Sequence, residues 1–176
     1  MAISVTSIGG PGRVVTLVKS IVGDREVEKI NSSDSNLTVV KESEEQAYQE
    51  ISDEFGTEPV KIINTPESMK FDRMEFDSVL QTAELFYDFK GEKVVYLINA
   101  SYSNASWGID VEDIITDKYY IEIDGCNIEI KEYETPKSST KRYSAGFKYR
   151  GLEYFIVGTM NKEEFEIIVN NLFFIK

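Results

Sequence analysis

The residues of this chain that could do chemistry are mostly carboxylates. Asp110, Glu112, Asp113 and Asp117 crowd one stretch without a clean hydrophobic period. Their oxygens make Asp110, Asp113 and Asp117 candidate calcium ligands. Their spacing does not match an EF-hand, which needs a glycine at the sixth loop position and a bidentate glutamate at the twelfth. The plainer reading of such a charge run is a solvated face. Trp107, between Ser106 and Gly108, sits in the same stretch as Tyr102. Tyr102 and Trp107 would form a stacking platform for a sugar or peptide, or an aromatic anchor under a sheet. Cys126 follows Asp124-Gly125 at a hairpin corner. A nucleophilic thiol wants a base and an electropositive setting. With acidic neighbours and no histidine, Cys126 reads as a small apolar strand residue.

The absence of histidine removes the commonest general base and the usual zinc ligand together. One cysteine allows no intrachain disulfide and no cysteine metal cluster. Thirty-one acidic residues permit many carboxylate pairs of the glycosidase kind, but nothing singles one out. No glycine-rich phosphate loop or Ser–His–Asp set is present, so no cofactor is implied. A net charge of −12 repels phosphate backbones and anionic membrane surfaces, and disfavours nucleic acid as a partner.

The elements that would carry these residues suggest one α+β domain. Pro11 to Val22 reads as a short helix weakened by β-branched residues, with a strand as the alternative. Asp24 to Glu42 reads as a polar linker or loop that contains a brief strand at 37–40. Ser43 and Gln46 form a capping-box pattern ahead of a helix over 44–55, ended by Gly56. Val60 to Ile63 reads as a strand, and Met69 to Phe76 as an edge strand. Val79–Phe89 with Lys93–Ala100, Tyr119–Ile123 with Cys126–Tyr133, and Arg142–Tyr149 with Leu152–Gly158 alternate as three hairpins. Asn161 and Glu164 form a second capping box before the apolar stripe Phe165, Ile168, Val169 and Leu172. The sum is an antiparallel meander of about seven strands, with two N-terminal helices and one C-terminal helix packed on it. Residues 1–42 read as an N-terminal segment and 43–176 as a single domain.

Two stretches carry a family resemblance. Thr65-Pro66-Glu67-Ser68-Met69-Lys70-Phe71 leads into strands through Leu85-Phe86-Tyr87-Asp88-Phe89-Lys90-Gly91. Phe147-Lys148-Tyr149-Arg150-Gly151-Leu152-Glu153-Tyr154-Phe155-Ile156-Val157-Gly158 precedes the last helix. With the Ser106-Trp107-Gly108 loop, these resemble a bacterial domain of unknown function over about residues 44–174. Such domains are typically the extracytoplasmic part of single-span membrane proteins, some similar to anti-sigma factors. The resemblance implies that the apolar start at Ala2–Ile8 lies just outside a membrane anchor upstream. A frayed terminus or a first edge strand explains that start as well.

The expectation is a non-enzymatic, extracytoplasmic binding or sensing domain, tethered to a bacterial membrane. Its partner would be a protein, a peptide or an envelope ligand. The alternatives are a carboxylate-dependent hydrolase of envelope glycans and a structural module that offers a sheet edge to another protein.

Overall fold

The computed structural model describes backbone over 16–22 and 25–31, and side chains as well over 36–101, 114–134 and 140–175. Strands β1 (Thr16–Val22) and β2 (Arg25–Asn31) form an antiparallel hairpin. This corrects the first expected helix and the expected linker. The run Val14-Val15 with Val18, Ile21 and Val22 is β-branched, and stiffness at χ1 favours a strand over a helix. Among the described residues the N-terminal half therefore carries one helix, not two.

The main sheet has eight strands in the order β3-β5-β6-β7-β11-β10-β9-β8, all antiparallel. These are β3 (Leu37–Val40), β5 (Met69–Asp77), β6 (Thr82–Phe89), β7 (Glu92–Asn99), β8 (Ile114–Ile123), β9 (Cys126–Glu134), β10 (Arg142–Tyr149) and β11 (Leu152–Thr159). Strand β5 is not an edge, because β3 pairs along it from Leu37↔Asp77 to Val40↔Met74. The strand expected from Val79 begins at Thr82. Asp77 Oδ1 accepts the amides of Val79 and Leu80 at 2.9 Å each, and so folds 78–81 into the turn.

The three expected hairpins are all present. Each turns through a non-glycine and a glycine with positive φ: Lys90-Gly91, Asp124-Gly125 and Arg150-Gly151. Two left-handed residues in succession match the right-handed twist of the flanking strands, which is why glycine holds the second place.

One face of the sheet carries the core. Leu85, Tyr87, Tyr96, Ile98, Ile130, Ala145 and Ile156 are buried there under α1 (Glu44–Phe55) and α2 (Lys162–Asn170). Ser43 caps α1 by accepting from the Gln46 amide at 3.1 Å, and left-handed Gly56 ends it. The Asn161–Glu164 capping box on α2 is complete. Helix α2 stops at Asn170, so Leu172 leaves the expected helical stripe. It begins β12 (Leu172–Phe173), which pairs with β4 (Lys61–Ile62). These two short strands form a separate sheet and not part of the meander. On the other face Phe86, Val95 and Val157 form a smaller cluster. Strand β1 lies close to β7.

Candidate functional site

A cluster of interacting polar groups surrounds Glu132 on β9. Cross-strand register sets Tyr143 of β10 directly opposite, and its hydroxyl donates to Glu132 Oε2 at 3.0 Å. Strand β8 carries a bulge between Ile115 and Asp117. A bulge re-aims the side chain that it displaces. Here that residue is Thr116, whose hydroxyl donates to Glu132 Oε1 at 3.0 Å. Lys141, just ahead of β10, forms an ion pair with the same oxygen.

The Lys141 ammonium, helped by the two hydroxyls and against the pull of burial, holds the Glu132 carboxyl below the usual glutamate value. The reverse field acts on Tyr143: burial first, then the Glu132 charge, push its phenol up. Nearby, Tyr119 on β8 donates to Glu166 of α2 at 3.0 Å, while the Lys162 ammonium stands 4.4 Å from the Tyr119 ring centre. A general acid needs a carboxyl raised toward the working pH. Glu132 is shifted the other way, and its oxygens are already engaged by three donors. It acts as an anionic clasp that binds β8, β9 and β10 together.

The carboxyl that burial does raise is Glu44, at the start of α1. It accepts from the Tyr87 hydroxyl at 2.7 Å, and Tyr87 meets the Tyr48 hydroxyl at 3.4 Å. The Tyr48 hydroxyl in turn accepts the Ile62 amide at 3.0 Å. This chain holds the segment after α1 against the sheet.

Of the sequence candidates, Tyr102, Trp107, Asp110, Glu112 and Asp113 lie outside the described residues. Asp117 is on β8 and exposed, and its carboxylate accepts the Lys118 amide at 2.8 Å. Among the described residues no three His, Cys, Asp or Glu side chains group to hold a metal. Cys126 is the first residue of β9 and buried, and burial raises its thiol pKa. That is the setting of an inert core thiol.

The feature that sequence reading did not place is the outer edge of the sheet. Strand β8 is ten residues long and, among the described residues, is the last strand of the sheet. Ile114, Ile115 and Tyr120 on it are 71%, 51% and 56% exposed. The opposite edge, β3, has four residues. On the outer face of β8, Lys118 pairs with Glu129, and the Tyr120 hydroxyl donates to the same carboxylate at 3.0 Å. Lys118 and then Lys131 hold the Glu129 carboxyl down at about 2. The available signal was the alternation Tyr119–Ile123, which identifies a strand but not its place at an edge.

Residues 59–172 match the model of the family described as a domain of unknown function, DUF4367. The chain belongs to the DUF4367 family. The match runs from just ahead of β4 to the first residue of β12, and so takes in β5 to β11, the Glu132 clasp and the β8 edge. Strand β3 and helix α1 precede the DUF4367 match yet pack onto the same sheet and core. No curated protein and no solved structure matches the chain.

Proposed function

We propose that this DUF4367 domain is a non-enzymatic binding module of the bacterial envelope. It is held outside the membrane by an upstream anchor and takes a protein partner by strand addition along β8. The observation that carries this reading is the long terminal strand with Ile114, Ile115 and Tyr120 open to solvent. An edge strand offers a row of backbone donors and acceptors to an incoming strand, and alternate side chains supply selectivity. Natural edges are usually short, bulged or guarded by charge. In β8 the bulge lies at the N-terminal end, and Asp117 to Ile123 runs on regularly beyond it. The perturbed carboxyls Glu132 and Glu44 are engaged in holding strands and helix in place, which favours a binding role over a hydrolytic one. The envelope setting is supported by the family resemblance in the sequence. No helix among the described residues is long and apolar enough to cross a membrane, so an anchor would lie elsewhere.

The test is site-specific photo-crosslinking in the native host, with the full encoded protein. A benzophenone amino acid at Tyr120 is expected to give a discrete adduct. The same probe at Val79, exposed beside the far edge, is expected to give none. Protease added to intact cells should digest the domain while a cytosolic marker survives. No adduct from Lys118, Tyr120 or Glu122 would overturn the binding role of β8. Protection from protease until lysis would overturn the envelope placement.

A further inference from the structure

The regular part of β8 has an internal symmetry that points to its occupant. Beyond the bulge the strand reads Asp117-Lys118-Tyr119-Tyr120-Ile121-Glu122-Ile123, with Tyr120 at the midpoint. Lys118, Tyr120 and Glu122 share the outer face, while Tyr119, Ile121 and Ile123 lean toward the core.

We propose that β8 pairs antiparallel with β8 of a second copy of this chain, across a twofold axis at Tyr120. This rests on the strand-addition reading and names the partner. A twofold axis perpendicular to the sheet reverses strand direction and keeps each face on its own side, so facing residues must share a face. Centring on Tyr120 satisfies that condition. It sets Lys118 opposite Glu122 of the second copy and Glu122 opposite its Lys118, two unlike-charge pairs on the outer face. On the inner face it sets Tyr119 opposite Ile121 twice, an aromatic and β-branched pairing of the kind that stabilises sheets. Centring on Tyr119 instead would put Lys118 opposite Tyr120 and Glu122 opposite Thr116 at the bulge, and both charge pairs would be lost. The favoured register ends at Asp117, where the bulge breaks the regular ladder. Two eight-stranded sheets would then join as one, and Tyr120, now open to solvent, would be covered at the axis.

Sedimentation of the purified chain over a concentration series is the first measurement, and a dimer is expected at the upper end. Lys118→Glu sets like charges opposite each other twice and is expected to weaken dimerisation about tenfold. Adding Glu122→Lys restores unlike pairs and should recover most of the loss. Independently, Tyr120→Cys in a Cys126→Ala background places two thiols across the axis. Opposed Cα atoms in an antiparallel pair lie about 4.5–5.5 Å apart, inside the span that a disulfide bridges. Mild oxidation should link Tyr120→Cys chains into dimers and leave Glu122→Cys chains unlinked. A chain monomeric at every concentration, or a dimer indifferent to the Lys118 and Tyr120 changes, would overturn the proposal. Crosslinks in cells that join β8 to a different protein would overturn it too, while leaving strand addition at β8 intact.

Discussion

The Tyr96 hydroxyl donates to the carbonyl of Val60 at 2.8 Å, joining a central strand to the irregular segment that crosses above it. Tyr154, on the adjacent strand β11, accepts the Val60 amide at 3.2 Å. One buried peptide position thus has both its donor and its acceptor met by side chains of the sheet. Segment 57–60 has no ladder of its own, and buried backbone groups must find partners somewhere. Tyrosines on the core face supply them, and their rings pack as they do so. Tyr154 stacks on Phe147 with 4.7 Å between ring centres.

Tyr96→Phe keeps the ring and removes the donor to the Val60 carbonyl. Leaving that acceptor buried and unmet should cost about 1–3 kcal/mol. Urea denaturation of the purified domain measures it directly. A loss below ~0.5 kcal/mol, the usual range for surface changes, would mean that water replaces the hydroxyl and that the segment is not pinned in this way.

Acid should unfold this domain in a defined window. Lys118 and Lys131 hold Glu129 at about 2, Lys141 holds Glu132 below its ordinary value, and Lys90 does the same for Glu164. A carboxyl whose pKa is lower folded than unfolded stabilises the fold above its unfolded value, and that contribution fades as pH falls through the folded one. Melting temperature should therefore hold down to the ordinary glutamate value near 4.5 and fall from there toward about 2. Glu44 has the opposite sign, because burial raises its pKa and its contribution is lost as pH rises. Glu44→Gln should steepen the acid loss, and Glu132→Gln should soften it. A flat profile between pH 5 and pH 2.5 would refute this assignment of the ion pairs.

Phe165→Ala removes a wholly buried ring that stacks on Tyr143 at 5.4 Å between ring centres. Cavity formation and lost transfer energy together predict a cost of roughly 3–5 kcal/mol. Ile167→Ala, two residues on and on the exposed side of α2, serves as the control and should fall within ~0.5 kcal/mol. Equal effects from the two changes would show that α2 does not cover the sheet through this stripe.

Local chemistry was readable in the sequence where partners are neighbours along the chain. The turns at Lys90-Gly91, Asp124-Gly125 and Arg150-Gly151 and the caps at Ser43 and Asn161 depend on residues within a few positions. Each is found where the pattern puts it. Valine and isoleucine in the first strand have a spacing that fits a helix as well; their β-branching leans toward a strand, and pairing with Arg25–Asn31 decides it. Distant pairings left no local mark. Nothing in Leu37–Val40 names Met74–Asp77 as its partner, so β5 looked like an edge. The Glu132 clasp was hidden for the same reason. Thr116 reaches Glu132 through a bulge, and a bulge in one strand is defined only by the register of the next.

The ladder between β7 and β11, with Ile98 opposite Tyr154, has a kinetic consequence. On one side of it β5, β6 and β7 pair antiparallel in chain order, and on the other so do β8, β9, β10 and β11. Each half can assemble through short-range hairpins, which form on a time scale of about 1–10 μs. The halves meet along this single seam, whose closure must first gather the whole chain between Asn99 and Leu152. Refolding should therefore be paced by the seam. Substitutions at Ile98 or Ile156 would slow it, whereas equally destabilising changes at the hairpin tips would act mainly on the rate of unfolding.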